Sequence, residues 1–146
     1  MDRKQFLKAC GFGCLAGIAG VTLLQSCGTS QTVAATIKGS DILLPIADFE
    51  IKSKEKTNYK KYVIIQNEIL KYPICVYRFN ENEYTALLMS CTHQGAELQV
   101  FGDQLQCAAH GSEFSNQGVV KSGPANTDLR KFPVTIENAL LKISLK

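Results

Sequence analysis

Two short segments concentrate the residue types that bind metals. The first is Cys91-Thr-His93. Thirteen residues later comes the second, Cys107-Ala-Ala-His110. The chain has 2 histidines, and each sits beside a cysteine. Each segment offers one thiolate and one imidazole from a span short enough to be a single turn. Four such ligands suit a tetrahedral zinc, or two irons sharing the set in pairs. A histidine standing alone would more often be a satisfied polar residue; two of them, each paired with a cysteine, point to a shared metal site.

The residues around these pairs narrow the choice. CTHQGAEL and CAAHGSEF resemble the two ligand boxes of the Rieske iron–sulfur family. The likeness extends beyond the ligands to Gly95 in the first box, to Gly111 and Ser112 after His110, and to the aromatic Phe114. Downstream, SGPA at 122–125, with Pro124, resembles the proline loop that covers the cluster in that family. The resemblance spans about residues 40–146. It implies one Rieske-type [2Fe-2S] cluster per chain, with Cys91 and Cys107 on one iron and His93 and His110 on the other. Two neutral imidazoles in place of two thiolates remove negative charge, so an added electron meets less repulsion. Rieske potentials accordingly run from about −150 to about +300 mV, against about −400 mV for plant-type ferredoxins. A Cys2His2 zinc staple in a structural or binding lipoprotein is the rival reading. It leaves Gly111, Ser112 and the proline loop without a role.

The chain also departs from the family pattern. High-potential members carry two more cysteines, one in each box, joined as a disulfide; here those positions are Ala96 and Ala109. Those members place a tyrosine, hydrogen-bonded to a ligand sulfur, where this chain has Phe114. Ser112 is retained and is expected to bond a bridging sulfide. Each hydrogen bond lost to sulfur leaves the reduced cluster less stabilised. The expected potential is therefore intermediate, below that of quinol-oxidising complexes.

These loops need rigid elements to hold them. No helical period survives past residue 35. YVIIQN and YPICVYRF are β-rich runs, and Asn80–Glu83 marks a turn into YTALLMS. AELQVF and QLQCA flank Gly102-Asp103, a two-residue turn with glycine first. That hairpin carries one box at its start and the other at its end, so it predicts that the two pairs meet. Asn116-Gln117-Gly118 closes another turn, and FPVTI and LLKISL are expected to pair across Glu137-Asn138. The sum predicts an all-β fold, an antiparallel Rieske-type sandwich or small barrel with a cluster-binding subdomain at its tip.

Ahead of the domain the chain reads as an address. Residues 1–27 have a basic start and a 16-residue apolar run, Ala9–Leu24, short for a membrane span and suited to a signal peptide. LLQSC at 23–27 resembles a bacterial lipobox, which implies lipidation at Cys27; an ordinary signal or an uncleaved anchor are the alternatives. DRKQFLK resembles a twin-arginine export motif with Lys4 in place of the second arginine, and general secretion is the other route. Residues 28–39 are small and polar and read as a tether. The expected location is thus the bacterial cell envelope, membrane-tethered and outside the cytoplasm.

The chain has 6 cysteines. With Cys10 and Cys14 in the signal and Cys27 assigned to lipid, Cys75, Cys91 and Cys107 remain, an odd number that argues against a disulfide framework. Cys75 is expected to be a small buried apolar residue. The chain carries +3 overall; without residues 1–27 the balance is 13 basic to 12 acidic residues, which leaves no footprint for nucleic acid. Lys52, Lys54, Lys56, Lys60 and Lys61, interleaved with Glu50 and Glu55, read as a solvated loop. With both histidines committed and no haem-attachment or phosphate-loop motif, the chain is expected to pass single electrons for a larger oxidoreductase rather than act as a self-contained enzyme. The resemblance leaves two partners open, a quinol-oxidising cytochrome b-type complex and a periplasmic oxidase such as a molybdenum enzyme. A redox sensor is a third reading.

Overall fold

The computed structural model describes residues 31–146. The expected signal peptide and Cys10, Cys14 and Cys27 lie outside the described residues. Among the described residues there is no α-helix, and none long and apolar enough to cross a membrane. The chain instead forms short strands. The first five are β1 (Thr32–Val33), β2 (Thr36–Lys38), β3 (Asp41–Pro45), β4 (Glu50–Lys52) and β5 (Thr57–Tyr59), with one 3-10 turn at Ile46–Phe49. Next come β6 (Tyr62–Ile65), β7 (Ile74–Arg78), β8 (Tyr84–Leu88), β9 (Leu98–Phe101) and β10 (Gln104–Cys107). The last are β11 (Glu113–Ser115), β12 (Val120–Ser122), β13 (Lys131–Phe132), β14 (Val134–Glu137) and β15 (Leu140–Ser144).

They build one 5-stranded sheet, β1-β6-β7-β8-β13, two 4-stranded sheets, β12-β11-β10-β9 and β14-β15-β3-β2, and a two-stranded hairpin, β4-β5. Pairing is antiparallel except between β1 and β6, which run parallel. The expected all-β architecture is what the chain adopts.

Strand β7 shows why two cores form. Its residues Ile74 to Tyr77 are all buried, yet successive side chains of a strand point to opposite faces. Ile74 and Val76 enter a core with Ile42, Leu44, Phe49, Val63, Ile65, Leu141 and Ile143. Cys75 and Tyr77 enter a second core with Leu87, Met89, Leu98, Leu105 and Phe114, which also holds Cys91 and Cys107. Burying each large aliphatic side chain contributes roughly 1.5–3 kcal/mol. The central sheet thus gives one face to the base of the domain and the other to the cysteine-bearing hairpin. Cys75 is a fully buried free thiol, as expected. Burial pushes its pKa up, and burial does the same to Tyr77, helped by the neighbouring Cys75.

Three expectations need correction. Residues 28–39 are not a plain tether, because β1 and β2 fall within them. Gln31 O accepts the Ile64 N–H at 2.7 Å, and Val33 and Ile37 pack on the first core. The small polar composition hid a short strand, Thr36-Ile37-Lys38, that pairs with β3 around Gly39 at φ +60°. The lysine-rich stretch is also not merely a loop, since β4 and β5 pair from Glu50–Tyr59 to Lys52–Thr57, although Lys52 to Tyr59 all remain exposed. The last hairpin turns one residue later than expected, at Asn138-Ala139, both with positive φ. Alanine gave no sign of a left-handed position there. The Gly102-Asp103 turn, in contrast, is as expected, with Phe101 opposite Gln104 and Gly102 at φ +60°.

Candidate metal centre

The two ligand segments hang from the same end of the central sheet. β8 delivers the chain to Met89, whose N–H donates to Pro73 O at 2.9 Å, and Ser90 bridges to Glu97. Between these residues the first segment loops out. The second follows β10 directly and returns into β11. Because β9 and β10 pair with Leu98 opposite Cys107, the start of one loop lies beside the end of the other.

Both loops close by the same pair of hydrogen bonds. Cys91 N–H donates to Ala96 O at 2.8 Å, and Gly95 N–H donates to Cys91 O at 2.8 Å. Likewise, Cys107 N–H donates to Ser112 O at 2.8 Å, and Gly111 N–H donates to Cys107 O at 2.9 Å. In each case the glycine four residues after the cysteine sits in the left-handed region, Gly95 at φ +75° and Gly111 at φ +79°, where a Cβ is strained. This is why each box needs its glycine. Gly95 has a second reason, since a Cβ there would lie 3.3 Å from Tyr72 Oη.

The four candidate ligands converge. Cys91 and Cys107 are both free and buried, and they share the second core. The rings of His93 and His110 stand 5.0 Å apart at 87°. His93 is half-buried and His110 exposed, so the imidazole side of the pair faces solvent and the thiol side faces the core. Burial works against a Cys107 thiolate. The Ala109 and His110 N–H groups and the Cys91 side chain outweigh it, so the Cys107 thiol is held below its ordinary pKa.

Two observations test whether a [2Fe-2S] cluster fits. His93 Nδ1 is buried and has no hydrogen-bond partner, which is costly for a polar atom unless another group takes it. Among the described residues, no three His, Cys, Asp or Glu side chains gather on a single-ion position. A tetrahedral zinc needs four donors around one point. Two irons sharing two cysteines and two histidines need only a pair each, and the side chains are arranged as pairs. The donor set fits the cluster.

The segment 122–128 is fastened over the two loops. Ser112, fully buried, accepts the Ala125 N–H at 3.0 Å through Oγ. That leaves the hydroxyl proton of Ser112 available as a donor. Thr92 Oγ1 donates to Thr127 O at 2.6 Å. Asp128 Oδ1 accepts the Val120 N–H at 2.9 Å and Leu129 N–H donates to Gly118 O at 2.8 Å, closing the base of the segment. Pro124 is exposed between these anchors. Phe114 lies in β11 opposite Leu105, fully buried, and packs in the core that holds both cysteines.

Each residue singled out for this site from the sequence lies in or against these loops, and Cys27 lies outside the described residues. Thr92, Asp128 and Tyr72 were missed. Thr92 sits inside the first box, where a hydroxyl between two ligands was a readable signal. The Tyr72 contact with Gly95 joins distant residues, and nothing local announces it.

A model of the Rieske [2Fe-2S] domain matches residues 50–133. A cytochrome b6-f complex iron-sulfur subunit from Chlorobaculum tepidum is 27% identical over 81 residues, covering 48% of this chain and 45% of that protein. The oxygenase component of dicamba O-demethylase from Stenotrophomonas maltophilia is 34% identical over 85 residues, covering 51% of this chain and 25% of that one. The chain thus spans less than half the length of these curated relatives. A solved cyanobacterial plasma membrane Rieske protein from Synechocystis superposes with a TM-score of 0.50 at 24% identity, covering 57% of this chain and 86% of that one. At that identity the likeness speaks for the fold alone.

Proposed function

Because the chain belongs to the Rieske [2Fe-2S] domain family, and carries that family's cluster type, we propose that it moves single electrons as a membrane-tethered partner of a larger oxidoreductase. Cys91 and Cys107 would hold one iron of the cluster, and His93 and His110 the other. When bound, the cluster supplies a reversible one-electron centre at mild potential. The chain's own residues shape that centre. The loop N–H groups favour thiolate at Cys107, the hydroxyl proton of Ser112 would be free to donate to a cluster sulfide, and the exposed His110 gives a partner access. The observation that carries the reading is the 5.0 Å approach of the two histidine rings on loops whose cysteines share one core.

The membrane reading rests on the basic, apolar and lipobox-like stretch of residues 1–27 and on Cys27 as the lipidated residue, tethered in the bacterial cell envelope outside the cytoplasm. Between partner classes, the cytochrome b6-f subunits among the relatives support a cytochrome b-type complex. The alanines at 96 and 109 and the phenylalanine at 114 favour a lower-potential role, such as service to a dedicated periplasmic oxidase.

An EPR-monitored redox titration of the full chain tests this reading. A reduced Rieske signal with an intermediate midpoint is expected. A midpoint at the top of the family range would transfer the chain to quinol oxidation. The absence of any such signal, with zinc bound in its place, would end the electron-transfer reading.

A further inference from the structure

The hairpin β4–β5 takes no part in the centre described above. Its residues Lys52 to Tyr59 are exposed throughout. Its turn carries Lys52, Lys54 and Lys56 against the single acid Glu55. None of these three lysines joins an ion pair among the described residues, whereas Lys61 is paired with Asp103 at 3.2 Å. Tyr59, 44% exposed, lies flat under the Arg78 guanidinium, which sits 4.0 Å from the ring centroid. Lys60 N–H donates to Phe49 O, extending the hairpin's own ladder, and Arg78 N–H donates to Lys61 O where the chain enters β6, both at 2.8 Å.

Topology says which way this hairpin faces. Tyr62, the first residue of β6, lies opposite Tyr77, and Tyr77 lies opposite Thr85 near the start of β8. At the other end, Ile65 lies opposite Ile74 and Ile74 opposite Leu88, just before Cys91. The hairpin precedes β6 and the cysteine loops follow β8, so the two occupy opposite ends of the same sheet. Strand β1 runs parallel to β6 beside its last two residues, Ile64 and Ile65, so within β1 the chain travels in the direction from the lysine end to the ligand end. The expected membrane address lies before β1 in the sequence.

We infer that the β4–β5 hairpin is a lipid-facing surface that binds anionic headgroups and holds the metal centre pointed away from the bilayer. The inference rests on the proposed membrane tether. Lysines near an anionic surface are attracted within about a Debye length. A tyrosine backed by a guanidinium suits the headgroup layer, with an apolar body and a polar tip. A second attachment point would turn a flexible tether into a defined orientation, leaving His110 free toward the aqueous side.

Flotation of the full chain with vesicles tests it. Attachment to pure phosphatidylcholine vesicles reads the tether and is indifferent to surface charge. The ratio of binding to phosphatidylglycerol-containing over pure phosphatidylcholine vesicles, at low salt, reads the hairpin. The variant Lys52→Glu, Lys54→Glu, Lys56→Glu is expected to lower that ratio more than tenfold, with its cluster spectrum unchanged. A variant with the same charge change elsewhere, Lys38→Glu, Lys121→Glu, Lys131→Glu, should retain most of it. Equal loss in both variants would reduce the effect to net charge and overturn the inference. So would a wild-type ratio near one, or full retention by the hairpin variant, which would leave the lysines to an acidic protein partner. Failure to attach to phosphatidylcholine would strike the tether reading instead.

Discussion

Ser112 and Ala125 are joined by a 3.0 Å hydrogen bond from the Ala125 N–H to the serine Oγ, buried between the second ligand loop and the proline segment. One hydroxyl thereby holds the cover down as an acceptor and keeps its proton for the cluster side. Replacing Ser112 by alanine removes both roles. It leaves a buried N–H without a partner, which costs roughly 1–3 kcal/mol. We expect a lower midpoint together with a lower melting temperature of the loaded protein. A Ser112→Ala protein with unchanged midpoint would show that the hydroxyl serves only the cover.

His110 is expected to be replaceable by cysteine with retention of a cluster. The new thiolate adds a negative charge, so the midpoint should fall by roughly a hundred millivolts or more toward the four-cysteine range. Potentiometry on His110→Cys reads this directly. If the midpoint stays in place, His110 is not an iron ligand.

Phe114 is fully buried in the core that also holds both cysteines. A tyrosine at that position would offer a donor toward sulfur, so Phe114→Tyr should raise the midpoint by some tens of millivolts. A fall in midpoint, with the fold intact by circular dichroism, would mean that the new hydroxyl finds no sulfur to serve.

Gly118 lies at φ +82°, and a Cβ there would come within 2.7 Å of Leu87 Cδ2. Gly118→Ala should destabilise the domain by about 2–3 kcal/mol, through strain at that φ and displacement of a core leucine. Denaturant titration against Gly102→Ala, which has a similar φ and open space around it, separates the two contributions. Equal losses in both proteins would remove the steric part of the argument.

Alkaline pH should weaken the fold through Cys75 and Tyr77. Burial raises both pKa values, so the folded state keeps protons that the unfolded chain gives up. Their contribution is complete below the ordinary thiol and phenol pKa values and is lost as pH rises above them. The slope is about 1.4 kcal/mol per pH unit for each group. Cys75→Val should flatten the slope by one group's worth between about pH 9 and 11. A wild-type slope that Cys75→Val leaves unaltered would place the alkaline sensitivity elsewhere.

The metal site was more legible than the scaffold around it, for a physical reason. Cys91, His93, Cys107 and His110 are chemically scarce residues at fixed short spacings, and Gly95 and Gly111 mark backbone that needs a positive φ. Such signals are local. The Gly102-Asp103 turn is local too, and it alone implied that the two boxes meet. What escaped depended on distant partners. Thr36-Ile37-Lys38 looks like linker until β3 supplies hydrogen bonds, and Tyr72 gains meaning only once folding brings it onto Gly95. The Asn138-Ala139 turn was displaced because the register of β15 on β3, from Leu140–Pro45 to Ser144–Asp41, overrides alanine's reluctance to adopt a left-handed conformation.

The second core joins Cys75, Tyr77, Leu87 and Met89 of the central sheet to Leu98, Leu105, Cys107 and Phe114 of the ligand-bearing hairpin. Close-packed interiors transmit displacement instead of absorbing it. Among the described residues, then, the electron-carrying end has no swivel of its own. A displacement of the ligand loops would have to carry the second core, and with it the central sheet, along.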